Sequence, residues 1–379
     1  MKKSIMAIAG SAAVALTLAA CGSAPEDEAT TDAGTEETSE EATEEGDGDM
    51  TAASDVKACM VSDAGGFDDQ SFNQAGYEGL QMAEAELGVE INTLESASEA
   101  DFGPNVESLV NDGCTYIIGV GFLLEQAIED AATANPDLHF ALIDSSFTDA
   151  DGNVIELDNA KPLLFNTAEA SYLAGYVAAG MSETGTVGTF GGLPIPSVTV
   201  FMDGFVDGVT KFNEDNGADV SVLGWNKESQ DGSFSGGFDD QSAGQNITQG
   251  FIDQGADVVM PVAGPVGLGA ASALESAGDG HYMIWVDSDG YLTTDYGSII
   301  LTSVMKEMGA AVFAAIEEQV NGEFTNAPYV GTLENDGVGL APYHDFEDVI
   351  PAEVVSAVDE LREQIISGEI TVESDNSPS

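Results

Sequence analysis

The stretch ACMVSDAGGFDDQSFNQAGYEGLQMAEAEL, Ala58–Leu87, opens with a short apolar run, turns through two glycines and a cluster of polar residues, and continues in a helical pattern over Tyr77–Leu87. A strand that ends in Asp63 and a Gly-rich turn, followed by a helix, is the repeating unit of a parallel α/β sheet. Whether the unit recurs along the chain decides the fold. It does recur. Further short apolar runs follow at Glu90–Leu94, Tyr116–Val120, Phe140–Ile143 and Pro162–Phe165, with helical stretches such as Leu124–Ala134 between them. After a helical pattern at Glu169–Met181 the alternation restarts with Thr186–Phe190, Val220–Leu223, Val258–Val262, Met283–Val286 and Ile299–Thr302.

The two series align by their strand ends. The first strands end in Val61-Ser62-Asp63 and Phe190-Gly191-Gly192, and the third in Gly119-Val120-Gly121-Phe122 and Val262-Ala263-Gly264-Pro265. The fourth end in Leu142-Ile143-Asp144-Ser145 and Trp285-Val286-Asp287-Ser288-Asp289. Ligands of open α/β sheets bind outside the carboxyl ends of the strands. Two doubly wound lobes facing those ends together make a cleft that closes by a hinge. The expected organisation is lobe 1 at 55–166, rejoined by part of 303–325, and lobe 2 at 167–302. A crossover segment and helix at 326–370 and a flexible tail at 371–379 complete it. The heptapeptide GGFDDQS at 65–71 returns at 236–242, but after strand one of the first lobe and strand two of the second. The copies are therefore not equivalent positions of a duplication. Their common chemistry is local, two glycines for a tight turn and Asp-Asp-Gln-Ser for capping the next helix.

The N-terminus reads as an export signal. Lys2 and Lys3 precede an apolar run at Ile5–Leu18, and residues 1–20 end in Leu18-Ala19-Ala20 before Cys21. This resembles a bacterial lipobox, which implies cleavage before Cys21, acylation of its thiol and attachment to the cell membrane on the extracytoplasmic side. Residues 22–54 contain no aromatic and no basic side chain, so they are expected to form a disordered acidic tether. A chain of that length reaches roughly 30 Å. Cys59 and Cys114 each open an apolar run, which favours two buried free thiols, with a disulfide as the alternative in an oxidising compartment.

Charge narrows the function. The chain carries 68 acidic against 8 basic residues, a formal net charge of −60. Beyond Lys2 and Lys3 the basic residues are Lys57, Lys161, Lys211, Lys227, Lys306 and Arg362. Nucleic acid is excluded as a partner, since phosphate contacts need clustered Lys and Arg. Catalysis is disfavoured. His139 and His281 begin their strands at the edge away from the cleft, His344 lies in a late loop, and no nucleophile elbow, P-loop or dinucleotide fingerprint is present. No metal or other cofactor is expected. The converging carboxylates Asp63, Asp144 and Asp287 or Asp289 suit a ligand rich in hydroxyl and N–H groups. Phe72, Phe122 and Phe201 are either core residues or aromatic platforms. Lys306 is expected at the start of an apolar helix, and its rarity marks it as a candidate functional cation.

The motif Val61–Gln74 resembles the opening signature of the basic membrane protein family of substrate-binding lipoproteins. Glu169-Ala170-Ser171-Tyr172-Leu173-Ala174-Gly175, Phe201-Met202-Asp203-Gly204-Phe205, Val286-Asp287-Ser288-Asp289 and Thr302-Ser303-Val304-Met305-Lys306 are similar too, in order across Lys57–Glu369. The resemblance implies a type I periplasmic-binding-protein fold, most simply a monomer, that binds a purine nucleoside and delivers it to an ABC permease. In that reading Phe72 stacks on the purine, with Phe201 as the second ring and Phe122 beside them. Asp63 and Asn73 read the base, Gly264 admits it closely, and Asp144, Asp287 and Lys306 hold the ribose. Asp289 is followed by Gly290 where this family motif has Gln. A receptor of the same fold for riboflavin or a sugar, or a ligand-sensing regulator, is the alternative.

The acidity itself makes a prediction. We hypothesise a saline habitat, in which salt screens the self-repulsion of so acidic a surface. Far-ultraviolet circular dichroism is expected to show loss of structure at low ionic strength and recovery in molar salt; a signal independent of salt contradicts the hypothesis.

Overall fold

A computed structural model describes residues 55–378, so the expected signal peptide, the lipidation site Cys21 and the tether lie outside the described residues. The first lobe runs β1 (Lys57–Val61), α1 (Phe72–Leu87), β2 (Glu90–Leu94), α2 (Glu99–Asn111), β3 (Tyr116–Val120), α3 (Glu125–Ala134) and β4 (His139–Ile143). A small antiparallel hairpin, β5 (Phe147–Thr148) and β6 (Val154–Ile155), precedes β7 (Ala160–Phe165). The second lobe opens with α4 (Thr167–Met181), then β8 (Thr186–Gly191), α5 (Pro196–Asn216) and β9 (Ser221–Leu223). The hairpin β10 (Trp225–Asn226) and β11 (Asp231–Gly232) follows, then α6 (Gln241–Ile252), β12 (Val258–Val262) and α7 (Val266–Ala277). The lobe continues through β13 (Tyr282–Asp287), α8 (Gly290–Thr293) and β14 (Ile300–Lys306). Finally come α9 (Met308–Val320), β15 (Tyr329–Gly331), β16 (Val338–Leu340) and α10 (Ala352–Ile366).

Two six-stranded sheets result, ordered β15-β7-β4-β3-β1-β2 and β16-β14-β13-β12-β8-β9. All neighbours are parallel except β16, which runs antiparallel to β14. The second sheet repeats the strand order of the first, as the aligned strand ends lead one to expect. Strands such as β3 are buried at every residue because helices cover both faces, which is why they read as unbroken apolar runs. The chain passes between lobes after β7, after β14 and between β15 and β16, since α9 packs on α1 while β15 and β16 join different sheets. These crossings form the hinge.

Local chemistry sets the helix ends. In both copies of the heptapeptide it is the second Asp that caps the helix. Asp69 accepts the backbone N–H groups of Ser71, Asn73 and Gln74, and Asp240 those of Ser242 and Ala243. Ser98 and Asp101 form a capping box on α2.

Three expectations are corrected here. Lys306 is the last residue of β14, not the first turn of a helix: the strand runs on past Thr302, and α9 begins only at Met308. Cys59 and Cys114 form a disulfide with Cα atoms 6.0 Å apart, because β3 lies beside β1 and brings the turn that precedes it against Cys59. Residues 371–378, expected as a flexible tail, are held against lobe 2. Val372 is buried, Ser374 Oγ donates to Asp203 Oδ2 (2.7 Å), and Asn376 donates to Gln230 (3.1 Å).

In lobe 2, α4 and α5 pack backbone against backbone through glycines. A Cβ on Gly208 would lie 1.9 Å from the Tyr172 carbonyl oxygen, and one on Gly175 2.2 Å from that of Phe205. Gly208→Ala therefore has to push the two helices apart. A loss of about 1–3 kcal/mol or more is expected in denaturant unfolding; a variant as stable as the parent contradicts this packing.

Candidate functional site

The cleft lies where both sheets turn their strand ends inward, and it encloses ≈ 550 Å³ counted out to its open mouth. In each lobe it spans the point at which the strand order reverses, between β1 and β3 and between β8 and β12. Asp63 and Gly121 follow β1 and β3, while Ala263 and Gly264 follow β12. Every candidate site residue within the described chain lines this one space: Asp63, Phe72, Asn73, Phe122, Asp144, Phe201, Gly264, Asp287 and Lys306.

At the floor sits Lys306, 3% exposed, at the crossing from lobe 2 to lobe 1. Its ammonium bonds Asp144 of lobe 1 and stands 3.5 Å from Asp287 Oδ1 of lobe 2. Asp144 directly follows β4 and Asp287 ends the corresponding strand β13, and both adopt the left-handed conformation, with φ of 65° and 70°. Non-glycine residues hold that conformation only where the surroundings enforce it. Burial acts to lower the pKa of Lys306, but its attraction to Asp144 and Asp287 outweighs burial and raises it. The lysine is thus held charged. Burial raises the pKa of Asp144 despite the neighbouring ammonium. The same ammonium lies 5.0 Å from the centroid of the Phe72 ring and 4.7 Å from that of Phe201. Phe72 begins α1 and Phe201 lies in α5, so each lobe contributes one ring beside the cation.

Toward the side of lobe 1, Asp63 Oδ1 accepts from Asn73 Nδ2 (2.7 Å) and the Gly65 N–H (3.2 Å). Asn73 Nδ2 also donates to Asp69 Oδ2 (3.2 Å). Two carboxylates thus fix the orientation of the amide, because an amide oxygen turned toward them would be repelled. Asn73 Oδ1 is buried with no partner among the described residues. Burial, only partly offset by the Asn73 and Gly65 hydrogen bonds, pushes Asp63 up to about 6. Gly121, at φ 98°, makes this corner: a Cβ there would stand 3.0 Å from the Phe72 ring and 3.5 Å from Asp63 Oδ2. Gly264, at φ 53°, has no atom within 4 Å of where its Cβ would be and opens directly on the cleft.

Strand-end position alone left Asp287 and Asp289 as alternatives, and the family resemblance implied Asp287; of the two, Asp287 lines the cleft. Asp289 is absent from the lining, since it caps α8 through the Tyr291 N–H and takes His344 Nε2 at 2.8 Å. Phe238 and Asp69 line the cleft and were not among the candidates. No local signal marks Phe238, since the heptapeptide that carries it also carries Phe67, which is buried away from the cleft. A Cβ on Gly192 would fall 2.2 Å from the Phe238 ring, so the glycines ending β8 make room for it.

The family described as "ABC transporter substrate-binding protein PnrA-like" matches residues 56–376. The chain belongs to this family. That places it among the substrate-binding proteins of ABC transporters and not among enzymes, as the sequence analysis expected. It is 32% identical to the "ABC transporter nucleoside-binding protein BmpA" of Lactococcus lactis, over 84% of this chain and 90% of that one. It is 30% identical to the "CD4+ T-cell-stimulating antigen" of Listeria innocua, over 98% and 99%. Among solved structures, an ABC transporter solute-binding protein of Aeropyrum pernix superposes with a TM-score of 0.74 at 26% identity, covering 83% of this chain and 92% of that one. The family's two-lobed binding fold is thus the fold seen here.

The floor cluster yields a test. Lys306→Ala leaves two buried carboxylates facing one another with no cation. Removing one partner from a buried ionic cluster costs about 3–5 kcal/mol. Asp144, which burial already raises and only the ammonium lowers, then has a folded pKa further above its unfolded one, so the loss deepens as pH rises through that range and is relieved as pH falls. Denaturant titrations at pH 5 and pH 8 read both effects; an equal, small loss at both pH values contradicts the arrangement.

Proposed function

We propose that the cleft binds a purine nucleoside, guanosine foremost, and that the protein presents it to an ABC permease from a lipid anchor at Cys21. The observation that carries this reading is the pairing of one Phe ring from each lobe around a buried, carboxylate-held ammonium. The two rings offer faces for a planar base, where stacking on an aromatic contributes ~1–3 kcal/mol. Asp144 and Asp287 offer acceptors, and Lys306 donors, for the ribose hydroxyls. Phe122 extends the aromatic wall, and Gly264 lets the backbone come close to the base.

In this reading Asp63 and Asn73 Oδ1, which has no partner among the described residues, are the two acceptors for the base edge. A guanine edge, with its N1–H and 2-amino donors adjacent, complements them best. Hypoxanthine offers one of those donors, and adenine presents an acceptor at N1. Phosphorylated ligands fit poorly. All six basic residues of the described chain are already tied to carboxylates, and Lys306 is the one in the cleft. A monomer held outside the membrane by its tether belongs to the same reading.

Calorimetric titration in high salt, on protein unfolded and refolded to strip bound ligand, tests it. Guanosine is expected to bind more tightly than inosine, and inosine more tightly than adenosine. Phe72→Ala should weaken binding by about 1–3 kcal/mol, the contribution of one stacked ring. A ligand N–H donating to Asp63 requires the ionised carboxylate, whose pKa in the free protein is about 6. Affinity should therefore hold above that pH and fall about tenfold for each unit below it. Silence toward every nucleoside, with riboflavin or a sugar binding instead, would overturn the ligand and leave the fold intact.

A further inference from the structure

Three hydroxyl side chains and one backbone carbonyl outside the proposed base and stacking contacts join the lobes directly. The Gln70 carbonyl of lobe 1 accepts Ser288 Oγ at 3.0 Å and Thr293 Oγ1 at 3.1 Å, both from lobe 2. One residue on, Ser71 Oγ donates across the same boundary, 3.0 Å from Asp287 Oδ2 and 3.2 Å from the Val286 carbonyl. Gln70 itself is left-handed, φ 59°, the kind of backbone that persists only while its surroundings hold it. Both acceptor sites of its carbonyl are filled by the opposite lobe. Thr293 Oγ1 has a second acceptor within its own lobe, the Asp289 carbonyl at 3.2 Å, to which it can fall back when the lobes part. The contact is thus a two-position device: made, it satisfies Gln70; broken, each partner has water or a neighbour to turn to.

We propose that this contact is a latch that keeps part of the population closed with no ligand bound, Ser288 and Thr293 acting on closure and Ser71 on the position of Asp287. Ser288 and Thr293 do not line the cleft, so the latch contributes to closure separately from any ligand. A ligand that favours the closed form then meets a protein already shifted toward it, and its apparent affinity is reduced only by the fraction that remains open. Ser71 ties the second half of the mechanism. By engaging Asp287 Oδ2 from the other lobe, it holds that carboxylate in place while Oδ1 faces Lys306. The latch holds whichever solute the cleft takes, so it stands or falls separately from the nucleoside reading.

Small-angle X-ray scattering of the ligand-stripped full chain tests the latch. The pair Ser288→Ala with Thr293→Val is expected to show a larger radius of gyration than the parent, at an unchanged thermal midpoint, while Thr293→Ser, which keeps the hydroxyl, stays at the parent value. Ser288→Ala alone gives an intermediate shift and serves if the pair does not fold. A parent already as extended as the pair overturns the latch. So does a pair whose scattering coincides with that of a compact parent, or a Thr293→Ser variant that opens as far as the pair does.

Discussion

The site depends on one buried ammonium. Removing Lys306 and its carboxylates from water costs several kcal/mol per ion unless the charges meet, and they meet only when both lobes deliver their part. Asp144 comes from β4 of the first lobe and Asp287 from β13 of the second, each at the same place in its sheet and each in the same left-handed turn. Lys306 ends the strand from which the chain leaves lobe 2 for α9 on lobe 1. The cluster is therefore at once the floor of the cleft and a fastening at the hinge. With two carboxylates to one ammonium, acceptor capacity is left over, which is what a polyhydroxy ligand calls for.

The scarcity of cations shapes the rest of the molecule. Lys57, Lys161, Lys211, Lys227 and Arg362 each pair with at least one carboxylate away from the cleft. Most of these pairs are partly exposed, so each contributes little to stability. Among the described residues they leave no Lys or Arg without a carboxylate partner.

The repeated heptapeptide separates local from tertiary causes. Asp69 and Asp240 do the same work on identical neighbours, because capping needs only the next few backbone N–H groups. Phe67 and Phe238 hold the same position in the motif yet differ in place. Phe67 is buried against Tyr77, with ring centroids 4.9 Å apart, while Phe238 borders the cleft. Nothing within seven residues distinguishes them. What differs is the strand each copy follows and the surface that strand faces.

Sequence by itself determined the alternating units, the parallel sheets, the two matched lobes and the polar strand ends, because periodicity and turn chemistry act over a few residues at a time. It also marked Lys306 by rarity and Asp63, Asp144 and Asp287 by position. It misplaced Lys306 in a helix, since the apolar run reads as ending at Thr302, whereas β14 continues to Lys306. Its preference for free thiols failed because pairing depends on β1 and β3 being neighbours, a property of strand order and not of spacing. Only the folded chain decided that Asp289 turns away from the cleft to His344, that Lys306 meets Asp144 across the lobes, and that Gln70 and Thr293 meet. Those are contacts between residues far apart in the chain, and they exist only once both sheets have formed and turned their strand ends toward each other.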